Sequence, residues 1–184
     1  MSIKHLQLPL KQDEIDSLEA GDILYLTGAM YTARDAAHKR MVEAIKNNNC
    51  PIPLQDTTIY YVGPTPARPN EVIGSAGPTS SYRMDPYVED LLKQGLKIMI
   101  GKGPRSENYK ELLKEYHALY LTCIGGAAVS ISKTIKNCEL IAYPELGPEA
   151  IYRLEVEDFF AIVTYDVHGG DLYRSGVNQY KKTS

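Results

Sequence analysis

Short apolar runs of β-forming residues alternate with helix-forming segments along most of this chain. The β-type runs occupy 23–27, 57–62, 96–100, 119–124, 138–143 and 159–166, and the helical segments lie near 32–47, 87–94, 106–116 and 127–135. Strands that alternate with helices in this way indicate a mixed or parallel sheet covered by helices. We therefore predict an α/β fold with a mixed sheet and flanking helices.

Local signals predict where several elements begin and end. Thr32 and Asp35 resemble a capping box, and Asp85 followed by Pro86 is typical of an N-cap and a first helical position. Ser106 is a further candidate N-cap. Alternating leucines within 1–20 predict a short edge strand, the apolar pair at 72–73 predicts a strand, and about 176–184 is expected to be a frayed tail.

Size and charge narrow the classes of function. The 184 residues suffice for a single domain, and 43% hydrophobic with 23% charged residues is ordinary for a soluble globular protein. A net charge of -3 gives no electrostatic reason to expect nucleic-acid binding. No apolar run approaches the roughly 20 residues of a membrane helix. The first residues also lack the apolar region of a signal peptide, so we expect a cytoplasmic protein without membrane association.

Cysteine and tyrosine usage adds two expectations. Cys50, Cys123 and Cys138 are widely separated and form neither a C-x-x-C motif nor a metal-ligand spacing. We expect reduced, mostly buried thiols and no metal ligand from this chain. Fourteen tyrosines accompany two phenylalanines and no tryptophan. Many of these rings are expected at the edge of the core or in an interface, with the hydroxyl reaching water.

The segment 74–86, GSAGPTSSYRMDP, concentrates groups that suit chemistry. Its glycines permit backbone conformations closed to other residues, its hydroxyls lie in a row, and an arginine fork suits a carboxylate. Other candidate residues also follow predicted strands, and ligands of α/β sheets bind outside the carboxyl ends of strands. We predict that these groups converge on a small dianion such as a dicarboxylate: Arg34, Thr79, Arg83, Lys102 and the amides of Gly125 and Gly126.

Ordinary structural interpretations compete with this one. Arg34 in a first helical turn opposes the helix dipole, which fits either a chance surface position or an anion shared with the helix N-terminus. Lys102, between two glycines, suits a solvated turn as well as a ligand contact. His168 precedes two glycines and is typical of a turn, although a catalytic role stays open. Neither phosphate-binding glycine pattern is present, so we reject a nucleotide site.

Five segments carry a resemblance to a known family. They are YTARDAAHKR at 31–40, GSAGPT at 74–79, RMDPY at 83–87, MIGKG at 99–103 and GPEAIYRLEVEDF at 147–159. In this order they resemble the C-terminal region of class I fumarate hydratase, which is also the β subunit of two-subunit fumarases and L(+)-tartrate dehydratases. The resemblance runs from about residue 5 to 175 and is more specific for the family than for the substrate.

The resemblance implies a swivelling β/β/α domain and the reversible hydration of fumarate to L-malate. It implies that an oxygen-sensitive [4Fe-4S] cluster acts as Lewis acid, and that an α subunit with three cysteines binds this cluster, typically in an α2β2 assembly. The whole chain, 1–184, would then be one β-subunit domain that is inactive alone. By the family's motifs, Thr79 resembles the base for the C3 proton, and Arg34, Arg83 and Lys102 resemble the carboxylate-binding and charge-stabilising residues.

Two departures from the family pattern bear on the substrate. Tyr82 stands before Arg83 where the family usually has a small residue, and Ser80 replaces a second threonine. A phenol there either narrows the pocket, adds a donor or points outward. L(+)-tartrate dehydratase is therefore an alternative activity, and a non-catalytic anion-binding module of the same fold is an alternative of a different class.

Overall fold

The computed structural model describes residues 1–123 and 128–181 of the chain. Within these two ranges, seven strands form a single sheet, six α-helices accompany them, and two 3-10 helices lie at Ser81–Met84 and Pro144–Glu149. In chain order the strands and α-helices are β1 Ile3–Gln7, α1 Gln12–Asp16, β2 Ile23–Thr32, α2 Asp35–Lys46, β3 Thr58–Tyr60, α3 Asp85–Lys93, β4 Ile98–Gly101, α4 Glu107–Glu115, β5 Leu119–Thr122, α5 Ala128–Thr134, β6 Ile135–Ala142, β7 Ile151–Tyr165 and α6 Leu172–Tyr180.

The sheet is mixed, as the alternation of elements predicts. Strands β1 to β5 pair in parallel in the order of the sequence, whereas β7 runs antiparallel to β2, β5 and β6. Because β7 pairs with both β5 and β2, the pairings close into a ring of β2, β3, β4, β5 and β7. The α/β class with a mixed sheet and flanking helices is therefore confirmed.

Alternate side chains of the central strands enter two separate cores. Ile98 and Ile100 of β4 pack into a first core with residues of β1, β7 and α5, whereas Met99 between them packs into a second core. We call the second one the helix-side core, because α2, α3 and α4 supply much of it. Successive side chains of a strand point to opposite faces, so these strands are apolar without interruption and buried on both sides.

Several boundaries differ from the sequence prediction. Strand β2 continues past Gly28 to Thr32, because its second half pairs with β7. The pair at 72–73 forms no strand and lies within a long irregular segment between β3 and Ser81. The separate segments expected around 156–166 are one 15-residue strand, β7. Residues 176–180 of the expected frayed tail belong to a helix, α6, which begins at Leu172.

Two of the predicted N-caps are wrong and one is confirmed. Thr32 ends a strand instead of capping α2: its hydroxyl donates to the Ala150 carbonyl and accepts from the Tyr152 amide. Asp85 is the first residue of α3, and its carboxylate accepts from the Arg105 side chain. Ser106 does cap α4, accepting from the Tyr109 amide at 3.2 Å.

The tyrosine expectation is also partly wrong. Five rings are fully buried in the two cores, and the ring of Tyr120 packs against those of Tyr109 and Tyr165: Tyr60, Tyr61, Tyr109, Tyr120 and Tyr165. Three of their hydroxyls donate to protein acceptors: Tyr60 to the Ala76 carbonyl at 2.6 Å, Tyr109 to the Met99 sulfur and Tyr120 to the Gly103 carbonyl. At least five of the fourteen tyrosines therefore belong to the interior. Among the described helices, none combines the length and apolarity needed to cross a bilayer.

Candidate functional site

The loops that carry the predicted site residues leave the carboxyl ends of neighbouring parallel strands. Arg34 follows β2, the segment containing Thr79 follows β3, and Lys102 follows β4. Because β2, β3 and β4 are adjacent and parallel, these three loops emerge at the same edge of the sheet. We call this set of loops the rim. Gly125 and Gly126 lie outside the described residues.

Backbone hydrogen bonds join the Thr79 and Lys102 segments. The Thr79 amide donates to the Tyr61 carbonyl at 2.7 Å, which fixes this loop on the end of β3. The Ser81 amide donates to the Lys102 carbonyl at 3.1 Å, and the Lys102 amide returns a 3.0 Å bond to the Ser81 hydroxyl. Two segments about 20 residues apart in sequence are thus held side by side by reciprocal bonds.

A close approach at Gly101 makes this junction possible. A Cβ atom at Gly101 would lie 1.9 Å from the Ser81 hydroxyl oxygen, a distance at which no side chain fits. Gly101 is therefore required because a side chain would collide with Ser81 of the neighbouring loop. The wider backbone freedom of glycine is not needed at this position. The sequence showed a lysine between two glycines, but the contact that explains the first glycine is tertiary.

Arg34 lies one residue before α2, in extended backbone, and not in the first helical turn as predicted. Its Nη2 atom is 3.1 Å from Oε1 of Glu149, and Oε2 of the same carboxylate accepts from the Ala36 amide at 3.3 Å. A cation and a helix N-terminus thus share one anion, and in this structure the anion is a side chain of the protein. The Arg34 Nε atom is buried and has no hydrogen-bond partner among the described residues.

Arg83 reaches from the 3-10 helix Ser81–Met84 to the start of α2. Its Nη1 atom is 3.3 Å from Oδ2 of Asp35, the neighbour of Arg34, so the two arginines approach the same helix end. Both ion pairs are partly exposed. Lys102 is exposed and has no ion-pair partner within the described part of the chain, and Thr79 is half-buried. Two of the three rim cations are therefore paired with carboxylates of the protein.

Beneath the rim lies a buried arginine that the sequence reading missed. The Arg105 side chain is 0% exposed, and its Nε atom contacts Oδ1 of Asp85. Its guanidinium carbon lies 3.5 Å from the ring centre of Tyr109, 5.0 Å from that of Tyr120 and 5.5 Å from that of Tyr61. Nothing in the sequence separates Arg105 from a surface arginine, and the N-cap interpretation of Asp85 concealed its partner.

Burial changes the acid–base behaviour of this region. Burial alone would lower the pKa of the Arg105 guanidinium, but the tyrosines and Asp85 more than offset it, so the pKa lies above its usual value. Burial raises the pKa of Tyr109 well above its ordinary value. Burial lowers the pKa of His38 to about 4. Nδ1 of this neutral histidine lies 2.9 Å from the Arg34 carbonyl.

The remaining chemical candidates do not join the rim. The His168 ring contacts the Asp16 carbonyl and its amide donates to Asp166, which fits the turn interpretation. The three cysteines are free thiols: Cys123 is buried in the first core, and Cys50 and Cys138 are half-buried. Within residues 1–123 and 128–181, no three His, Cys, Asp or Glu side chains are grouped as metal ligands. The described residues thus offer no ligand set for an iron–sulfur cluster.

The chain is similar to several known proteins over nearly its full length. It is 39% identical over 180 residues to the anaerobic class I fumarate hydratase of Escherichia coli K12, which covers 95% of this chain and 33% of that protein. It is 37% identical over 167 residues to fumarate hydratase 2 of Leishmania major, covering 88% of this chain and 29% of the relative. The chain therefore spans about a third of the length of these fumarate hydratases.

A shorter relative matches along most of both sequences. A protein of Methanocaldococcus jannaschii, provisionally named an L(+)-tartrate dehydratase subunit beta, is 36% identical over 171 residues, which is 89% of this chain and 88% of the relative. A family model described as the fumarase C-terminus matches residues 2–176. With the five motifs in the expected order and this match over most of the chain, the protein belongs to the fumarase C-terminus family.

Proposed function

We propose that this chain is the β-type part of an iron–sulfur hydro-lyase that reversibly hydrates fumarate to L-malate. The observation that carries the proposal is the edge of the sheet where Arg34, Thr79, Arg83 and Lys102 leave three neighbouring strands, within a chain similar to fumarate hydratases. A substrate with two carboxylates needs at least two cationic groups a few ångströms apart. The rim loops carry three cationic side chains and the threonine hydroxyl, and this supply of groups supports the proposal.

In this proposal each rim residue has a distinct role. Arg34 and Arg83 bind the two substrate carboxylates, and each exchanges its protein carboxylate, Glu149 or Asp35, for the substrate. Such an exchange has a small energetic cost, because partly exposed ion pairs contribute about 1 kcal/mol or less. Lys102, whose ammonium is exposed, stabilises the negative charge that develops on the substrate.

Thr79 is proposed to handle the proton at C3. In the dehydration direction its oxygen takes this proton while the hydroxyl group leaves C2, and in hydration the two steps reverse. A threonine alkoxide is unfavourable in water, so the base requires nearby cations in a site from which water is excluded. Its half-buried position and the adjacent Lys102 segment support this assignment.

The proposal includes a partner subunit. The described residues offer no cluster ligands, and the fumarate hydratases that match here are about three times as long as the chain. We propose that an α subunit binds the [4Fe-4S] cluster, that it forms an α2β2 assembly with this chain in the cytoplasm, and that the enzyme is active only in that assembly. When bound, the cluster would act as the Lewis acid for the substrate hydroxyl. The swivelling-domain assignment is part of the same proposal.

L(+)-tartrate is the second candidate substrate, favoured by the match to the provisionally named tartrate dehydratase subunit. Tyr82 precedes Arg83 and is 63% exposed, so its side chain is not enclosed by the protein in this structure. It is instead available to a subunit that covers the rim. A phenol hydroxyl there would suit a substrate with one more hydroxyl group than malate.

The test is anaerobic co-expression with a candidate partner that carries three cysteines for the cluster. The purified assembly is then assayed with fumarate, L-malate and L(+)-tartrate. We expect turnover by the assembly and none by either chain alone. An intact assembly that turns over none of the three acids contradicts the proposal. Binding of a dicarboxylate without turnover would favour a non-catalytic anion-binding module.

Variants of the assembly test the residue roles. Thr79→Ala is expected to lower kcat by about 10²–10⁴-fold, the usual loss on removing a general base. Arg34→Met and Lys102→Met are expected to lower kcat/KM for dianions. Lys136→Met is the control, because this lysine forms an exposed pair with Glu157. Near-normal turnover by Thr79→Ala would exclude it as the base, and unchanged kinetics would remove the other two residues from the site.

A further inference from the structure

Arg105 follows Lys102 in the loop after β4, but its side chain is buried and contacts groups that support three rim residues. Its side chain is buried in the helix-side core, and the two terminal guanidinium nitrogens have no hydrogen-bond acceptor among the described residues. The guanidinium lies instead over tyrosine rings, the closest at 3.5 Å. A cation over an aromatic face is attracted by the ring's electron density, and more strongly when water is excluded.

The first connection runs to Arg83. Asp85 follows Arg83 by two residues, where the 3-10 helix Ser81–Met84 meets α3. One carboxylate oxygen of Asp85 contacts Nε of Arg105, and the other accepts from the Ser106 amide at 3.0 Å. The carboxylate is therefore bound to two consecutive residues of the segment that follows Lys102. This pairing fixes the start of α3 against the loop after β4.

The other connections run through tyrosines. The Tyr61 ring lies 5.5 Å from the Arg105 guanidinium, and the Tyr61 carbonyl accepts the Thr79 amide. The Tyr120 ring lies 5.0 Å away, and its hydroxyl donates to the carbonyl of Gly103 at 2.9 Å, directly after Lys102. One buried cation thus lies against a group that supports each of Thr79, Arg83 and Lys102, in the two connections that follow β3 and β4.

We propose that Arg105 is a positioning residue, which holds Thr79 and Arg83 of the β3–α3 connection and Lys102 of its own loop in a single arrangement. The assignment rests on the proposed function, since it concerns the same rim. Arginine suits the task because its planar group can stack on rings and bind a carboxylate at the same time, which lysine does less well. Its permanent charge keeps the arrangement independent of pH in the physiological range.

Amide hydrogen exchange tests the proposal without any assay of activity. Arg105→Met and Arg105→Lys are compared with wild type, on the 184-residue chain and on the assembly where a partner copurifies. We expect Arg105→Met to accelerate exchange at the amides of Thr79, Ser81 and Lys102 by at least about tenfold, and Arg105→Lys by less. The Leu8 amide, which bonds to the Thr27 carbonyl in the other core, should keep its wild-type rate.

Arg40 provides a matched control. It also pairs with a carboxylate, Glu145, and lies 5.1 Å from a tyrosine ring, that of Tyr143, but this arrangement is largely exposed. Arg40→Met should leave exchange at the rim amides unchanged. Wild-type rates at the rim in both Arg105 variants would overturn the proposal, and so would equal acceleration throughout the chain, which would mark Arg105 as a residue of general stability. Should Arg105→Met not fold, the same criteria apply to Arg105→Lys.

Kinetics of the assembly separate this proposal from the proposed function. We expect Arg105→Lys to lower kcat per intact assembly by about tenfold and Arg105→Met to lower it further. Arg40→Met should keep the wild-type kcat. If the wild-type assembly hydrates no fumarate, the proposed function fails, yet the exchange result still decides the role of Arg105. If activity is present and kcat is unchanged in both Arg105 variants, the positioning role fails alone.

Discussion

The cations at the rim and the cation beneath it are held in opposite ways. Arg34 and Arg83 form single ion pairs that are partly open to water, with side chains 23% and 39% exposed. Arg105 is fully enclosed by a carboxylate and three tyrosine rings. Water screens the ion pairs of Arg34 and Arg83. If buried Arg105 lost Asp85, by contrast, water could not take the place of the carboxylate.

This difference shows how one fold can contain both exchangeable and fixed charges. A residue that binds a substrate has to release its protein partner, and a weak, hydrated ion pair allows this at little cost. A residue that positions loops must keep its partner, and burial ensures this because a buried charge without a partner has a high free-energy cost. The two kinds of charge are close in the sequence, because Arg83 of the rim precedes Asp85, the partner of Arg105, by only two residues. Three predictions follow from the contrast, in order of decreasing effect.

The largest effect is expected when the buried cation loses its carboxylate. Asp85→Ala should lower the free energy of unfolding by about 3–5 kcal/mol, because it leaves the Arg105 charge buried and unpaired. Glu145→Ala, which removes the partner of half-exposed Arg40, should cost about 1 kcal/mol or less. Urea unfolding of the three proteins measures both values. Equal losses for the two variants would mean that burial does not distinguish these pairs.

The second prediction concerns pH and His38, which lies under Arg34. Burial lowers the pKa of His38 to about 4, so the unfolded chain takes up a proton before the folded chain does. The stability that depends on a neutral His38 ring is therefore fully present above about pH 6.5 and is lost as the pH falls toward about 4. The free energy of unfolding falls by about 3 kcal/mol over this range. His38→Asn removes this titration while keeping a donor for the Arg34 carbonyl.

Urea unfolding of wild type and His38→Asn at about pH 7.5 and about pH 4 measures the effect. The difference in unfolding free energy between the two proteins should change by about 3 kcal/mol across this range, in favour of the variant at low pH. His5→Gln is the control, since this histidine is exposed. A difference that stays constant between the two pH values would show that His38 accepts a proton in the folded protein as easily as in the unfolded chain.

The smallest effect is expected at the rim itself. Asp35→Asn removes the charge that faces Arg83 and should change the free energy of unfolding by less than about 1 kcal/mol. A double-mutant cycle with Arg83→Met isolates the pair, and its coupling energy should fall further when salt is added. A coupling energy near that of Asp85 with Arg105 would erase the contrast between the two regions.

Much of the fold followed from local patterns. The strand runs and the cap at Ser106 depend on neighbours within a few residues, so consecutive residues are enough to predict them. The errors have a different origin. Thr32 and Asp85 carry ordinary capping side chains, but the partners that decide their roles, Ala150 and Arg105, lie far along the sequence. Propensity alone cannot identify such partners.

For the candidate site, the sequence by itself determined which groups are available: the order of the motifs, the family, and three cations and a threonine placed after strands. The tertiary structure decided what each group meets. It gave Glu149 and Asp35 to the two arginines, required Gly101 next to Ser81, and enclosed Arg105 among tyrosines from three elements. The physical reason is that charge, burial and close approach depend on distances through space, which a chain acquires only when its strands pair and its helices pack.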